Sequence, residues 1–216
     1  VGRGVTADGI ERLRDSFLDT NYRRENGELG RFTTLKDTLG QVEEVFGEPS
    51  STGLGSGIDS FLAAFGDLAN DPSGTTPRTL VRQAAQNLVQ QFRQADQRLT
   101  AIGADVREKM IGQVDQVNQL AQQIADLNIA IRAGNSGLKE SPDLKDKRDV
   151  LIDQLSGIAG VRVIDRPDGT VGVAAGDALL VDGGSVGQLS VRDMGQGKLE
   201  VSVAGSSLPI SLKSGS

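Results

Sequence analysis

Apolar residues recur every three or four positions through most of the first 160 residues, the period of a helix with one buried stripe. Phe32, Leu35, Leu39, Val42 and Phe46 form one such run, and Ile10, Leu13 and Phe17 carry it upstream. The pattern predicts a helix over about 8–46. Thr6 or Asp8 could cap it, and Glu11 stands three residues after Asp8 as a capping box requires. Gly27 and Gly30 weaken the continuity of this helix, and Gly47 with Pro49 ends it. Residues 48–57 read as a loop by composition. Ile58, Phe61, Leu62, Phe65 and Leu68 then predict a short helix over 57–70. A third helix, over 77–133, is the longest. Leu80, Ala84, Leu88, Phe92, Ala95, Leu99, Ile102 and Val106 keep the spacing, and Met110, Val114, Val117, Leu120, Ile124, Leu127 and Ile131 extend it. Some 55 residues at 1.5 Å each make about 80 Å, so an elongated molecule is expected. Gly103 and Gly112 are points where it could bend. Ser141-Pro142 restarts a helix over 142–157, a cap followed by Pro at the first helical position.

From Val161 the period changes to two. VRVID, a Pro167-Asp168-Gly169 turn and TVGVA read as a β-hairpin, and ALLVD, QLSVRD, LEVSV and LPISL follow as short strands. The expected fold is α+β and mainly α. Residues 1–160 form a long-helix, coiled-coil-like rod, and residues 161–216 form a small antiparallel β domain, incomplete at its C-terminal end. All seven aromatics (six Phe, one Tyr) lie before Gln94, so the packed helical core is expected there, with the β part as a light appendage.

Composition removes most chemistry. The chain has 216 residues, no His, no Cys and no Trp. Without Cys it has no disulfide and no thiolate; without His it has no imidazole ligand and no Ser–His–Asp triad. The net charge of −6, with no basic cluster, argues against a nucleic-acid partner. No apolar run approaches the roughly 18 residues of a membrane helix, and no leader opens the chain. The first residue is Val1 rather than Met, which suggests a fragment or a processed form.

The remaining motifs are weak. Ser136-x-x-Lys139 has the spacing of a serine acyl-enzyme but lies in a Gly-rich break without partner motifs. Gly53-x-Gly55-x-Gly57 follows no strand and reads as linker. Gly197-Lys198 lacks the rest of a P-loop, and Asp165 and Asp168 flank a turn without calcium-loop spacing. No cofactor and no catalytic or metal-binding residue is expected. A denser cluster runs from Asp143 to Asp153. The plainer reading is a solvated face of mixed signs; the alternative is that Arg148 and Asp149 tie this helix to a neighbouring helix or subunit.

Several segments together resemble one family. GRGVTADGIERLRDSFLDTNYRR, LANDPSGTTPRTLVRQAAQNLVQQFR, VNQLAQQIADLNIAI, and SPDLKDKRDVLIDQLS followed by GVRV and DGTVGVAAGDALLVDG occur in an order and spacing similar to the bacterial flagellar hook-associated protein 1 family. The resemblance implies a structural axial protein of the flagellum, placed at the hook–filament junction and working through subunit packing. It implies like subunits, hook protein, neighbouring hook-associated or filament proteins and an export chaperone as partners. It further implies extracellular location, export without a cleaved signal peptide, and no catalytic machinery. At matched positions, Arg12, Asp15, Arg78, Arg148 and Asp149 are expected at inter-helix or inter-subunit contacts. Two alternatives stand beside this reading: another axial protein, flagellin-like or a filament cap, and an extracellular adhesin or cell-wall hydrolase with a coiled-coil stalk.

Overall fold

A computed structural model describes residues 15–47, 53–135, 142–195, 197–206 and 209–210. Four helices come first: α1 (Ser16–Phe46), α2 (Leu54–Asn70), α3 (Thr75–Asn135) and α4 (Pro142–Ala159). Six strands follow: β1 (Val161–Asp165), β2 (Val171–Ala175), β3 (Ala178–Asp182), β4 (Ser185–Val186), β5 (Leu189–Asp193) and β6 (Leu199–Val203). The mainly helical α+β reading therefore stands.

Each helix boundary has a local cause. The Asp15 carboxylate accepts hydrogen bonds from the Phe17 and Leu18 amides at 2.9 and 3.4 Å, which makes Asp15 the N-cap of α1. The expected capping box at Asp8 and Glu11 lies outside the described residues. The helix runs through Gly27 and Gly30 without a break. Helix α2 starts earlier than expected, because Gly55 and Gly57 already belong to its first turn. Helix α3 is continuous over 61 residues, through Gly103 and Gly112. Pro77 is tolerated in its first turn, where backbone amides lack helical acceptors in any case. Helix α4 stops at Gly160, whose φ of 44° is the left-handed conformation of a helix terminator.

Strands β1 to β4 form one antiparallel sheet in sequence order, with Val163 opposite Val173 and Val181 opposite Val186. Strands β5 and β6 form a separate antiparallel pair. The β1–β2 turn closes as expected around Gly169, where φ is 83°. The strand read in LPISL is described only at Pro209 and Ile210, and Pro209 makes an isolated bridge to Ser202.

The chain divides into two compact units. One holds the described parts of Val1–Thr34 and Lys109–Ser216; the other is Leu35–Glu108. The change from helix to strand at Gly160 is not a break in the core. Val117, Ile124 and Ala125 of α3, Ile152 and Leu155 of α4, and Val171, Val173, Leu180, Leu189 and Val201 of the strands bury into a single cluster. Among the described residues the core is therefore aliphatic and runs from Val114 onward, not among the aromatics. Phe17, Phe32, Phe65 and Phe92 are all at least 48% exposed. Periodicity reveals a stripe that requires cover; it does not say that the rest of the same chain supplies it.

Candidate functional site: polar fastenings and uncovered apolar faces

Two asparagines on α3 fasten the helix to the sheets. The Asn118 amide donates to the Leu189 carbonyl at 2.9 Å and accepts from the Leu189 N–H at 2.7 Å. It thus replaces the ladder partner that Leu189, at the start of β5, would otherwise need. Asn128 does the same one level along. Its nitrogen donates to the carbonyls of Val171 and Gly183, at 2.9 and 2.8 Å, and its oxygen accepts from the Val171 N–H at 3.1 Å. Arg148 of α4 closes this network, donating from one Nη to Asn128 Oδ1 at 3.2 Å and to the Gly169 carbonyl at 2.8 Å. Asn128 is fully buried and Arg148 nearly so. Two helices, the β1–β2 turn and the β3–β4 turn meet at this point.

A second fastening joins α1 to α4. Arg23 Nε contacts Asp153 at 2.7 Å, and an Nη of the same side chain lies 3.7 Å from Asp149. Arg23 and Asp149 are buried. The carboxylates of Asp149 and Asp153, one helical turn apart, would repel each other alone; the guanidinium between them resolves this. Asn26 adds hydrogen bonds to the Asp153 carbonyl and the Ser156 hydroxyl, both at 2.9 Å. Such buried ion pairs add little net stability, yet losing one partner is costly because the other is left buried and unpaired.

The five residues singled out in the sequence fall in different places. Arg148 and Asp149 sit in these two inter-helix networks. Asp15 caps α1. Arg78 donates from Nε and Nη2 to the Pro72 carbonyl, at 3.2 and 2.9 Å, bracing the turn into α3. Arg12 lies outside the described residues, as do Ser136 and Lys139. Sequence reasoning did not single out Arg23, Asn26, Asn118 or Asn128 as contact residues. Of these, Asn128 carried a signal: on the buried α3 stripe of Val114, Val117, Ala121, Ile124 and Ile131, it is the polar member.

At the β1–β2 turn the Asp168 carboxylate accepts from the Thr170 hydroxyl at 2.7 Å and the Thr170 amide at 3.0 Å. These bonds, with smaller help from Arg132 and Arg166, hold its pKa below the ordinary 3.8. The polar contacts are those of a turn. Among the described residues no group of three or more acidic, His or Cys side chains could hold a metal ion. No described helix is long and apolar enough to cross a membrane.

Residues 35–108 present the opposite character. Among the described residues of this unit no hydrophobic side chain is fully buried, while Leu62, Leu80 and Phe92 are half exposed or more. In the other unit, Leu127, Val150 and Leu151 line an apolar groove with Gln123 and Lys147.

The fold and these contacts define a class: long-helix proteins whose buried polar side chains tie elements together and whose apolar stripes remain uncovered. A model of the flagellar hook-associated protein FlgK helical domain matches residues 39–216. The chain belongs to this family. Flagellar hook-associated protein 1 of Salmonella typhimurium is 31% identical over 193 residues, covering 88% of this chain and 35% of that protein. The protein of the same name from Bacillus subtilis is 30% identical over 181 residues, covering 83% of this chain and 36% of its own length. The chain thus spans about a third of these relatives. The flagellar hook junction protein FlgK from Burkholderia pseudomallei shares the fold, with a TM-score of 0.71 over 90% of this chain and 35% of that one, at 24% identity. Membership in this family agrees with the hook-associated reading of the sequence rather than with the flagellin-like, filament-cap, adhesin or hydrolase alternatives.

Proposed function

We propose that this chain is part of a structural component of the bacterial flagellum that joins hook to filament through subunit packing and performs no catalysis. The carrying observation is residues 35–108, where apolar side chains such as Leu62, Phe65, Leu80 and Phe92 stay exposed. Apolar faces of this extent mark surfaces that another protein covers. In this reading the partners are like subunits, hook protein and neighbouring hook-associated or filament proteins, with an export chaperone before assembly. The site of action is the flagellum outside the cell, reached by export without a cleaved signal peptide. A chain without Cys supports the export step, since it forms no crosslink while unfolded. Of the residues singled out in the sequence, Asp15 and Arg78, both near helix starts, are proposed at subunit contacts with Arg12; Arg148 and Asp149 serve inside the subunit, keeping helices in register.

The test places charge on the uncovered apolar face in the full-length protein. Leu62→Glu with Phe92→Glu removes exposed apolar area at two helices without touching the buried cluster. The expected result is unchanged helical circular dichroism and melting, with loss of filament attachment and swimming. Normal filaments on cells that carry only the double variant would overturn the proposal.

A further inference from the structure

The α1–α4 contact demands a chemically reactive pair of residues. Gly27 is buried, and a Cβ there would stand 3.1 Å from the Ser156 carbonyl oxygen and 3.2 Å from the Gly160 Cα, both backbone atoms. Only glycine lets the helices approach this closely. Its neighbour Asn26 is held by its own contacts: the side-chain nitrogen donates to the Asp153 carbonyl and to the Ser156 hydroxyl. Gly157 opens the facing surface, since a Cβ there would lie 3.2 Å from the Asn26 nitrogen. Packing therefore selects glycine at 27 and hydrogen bonding selects asparagine at 26. Asn-Gly is the dipeptide in which the asparagine amide is most easily lost, because glycine offers no side chain to hinder attack by its own backbone nitrogen. The sequence contains it once.

We propose that Asn26–Gly27 is a self-modification site gated by the docking of α1 on α4. In the reaction the Gly27 nitrogen attacks Asn26 Cγ. A new N–Cγ bond forms, the Cγ–Nδ2 bond breaks, the Gly27 amide proton is lost, and the former side-chain nitrogen leaves as ammonia. Water then opens the cyclic imide at either carbonyl, giving aspartate or isoaspartate; nothing is oxidised or reduced. Within α1 this path is closed. Helical backbone torsions keep the Gly27 nitrogen away from Cγ, and its N–H lies in the helical hydrogen-bond ladder. The leaving nitrogen is also engaged by α4. Reaction thus requires local release of α1, and its rate measures that opening. The product does not return to the docked state: a carboxylate cannot donate to the Asp153 carbonyl, and isoaspartate adds a backbone atom to the helix. Time spent undocked is recorded as permanent loss of the α1–α4 contact.

The experiment incubates the whole chain at neutral pH, folded or in denaturing urea, and quantifies aspartate and isoaspartate at position 26 by peptide mass spectrometry. Folded protein is expected to react at least about tenfold more slowly than unfolded, the factor set by an opening cost of about 1.4 kcal/mol. Arg23→Ala, which removes the guanidinium that α4 grips, is expected to raise the folded rate about tenfold on the same scale. Asn26→Gln abolishes the signal. Should Arg23→Ala not fold, the wild type in a series of low urea concentrations serves instead, with the rate rising before the global unfolding transition. Converted molecules, separated by ion exchange, are expected to show faster amide hydrogen exchange across 16–34. Equal rates in folded and unfolded chain, no reaction in urea, a rate that follows only global unfolding, or unchanged exchange after conversion would each overturn the proposal.

Discussion

Asn128 shows how much one side chain can organise. It occupies a position where the α3 stripe otherwise carries Val, Ala or Ile, and an apolar residue there would leave the Val171 amide and two carbonyls without these partners. Buried polar groups left unpaired cost about 1–3 kcal/mol each. Asn128→Ala is therefore expected to destabilise the protein by about 3 kcal/mol, against no more than about 0.5 kcal/mol for an exposed polar residue such as Gln122→Ala. Urea unfolding checks this; near-equal midpoints for the two variants would show that the network contributes little. Arg148 is legible in the sequence because it stands beside the Leu stripe of α4. Its partners are not, because Asn128 lies 20 residues and Gly169 21 residues away in the chain. Arg23 lies further still, 130 residues from the Asp153 that it grips.

Helices and strands were more legible than contacts. A 3.6-residue period locates α3 within two residues at each end, because no Pro falls between Arg78 and Asn135 and a Gly-rich break follows. The alternation after Val161 locates β1, β2 and β3 for the same local reasons. Glycines were the harder residues to read. Gly27 and Gly103 look alike in sequence, each an interruption in an apolar pattern, but their surroundings differ. Gly27 meets the backbone of α4, whereas nothing lies within 4 Å of a Cβ at Gly103. Gly27→Ala is expected to destabilise by about 1–3 kcal/mol as the helices are forced apart. Gly103→Ala should instead stabilise by about 0.5–1 kcal/mol, since it removes the entropic cost of glycine in a helix. Thermal melts of the two variants should move in opposite directions; a shift of the same sign in both would contradict the close approach of α1 to α4.

At the scale of the whole molecule, the aromatic count pointed to the wrong place for the core. Phe and Tyr are the residues that bury most area, so seven of them before Gln94 suggested packing there. The buried cluster instead joins the second half of α3 and α4 to the strands, built from Val, Ile, Leu and Ala. The β part is thus a wall of the core. Removing residues 161–216 should expose Ile124, Ile152 and Leu155 together, with loss of cooperative unfolding and binding of a hydrophobic dye. A shortened chain that melts cooperatively at the original temperature would show that the helices have a sufficient core of their own.

The sequence by itself determined the four helices, most of the strands, their order and the family, because periodicity, caps and turn residues act over a few neighbours and the family's motifs lie in linear order. The tertiary structure decided which apolar stripe is buried and which stays uncovered, and which charged residues face each other. Burial depends on what the distant parts of the chain bring to each face. That is why Ile124 and Phe92, two members of one unbroken helical pattern, end respectively in the core and at the surface.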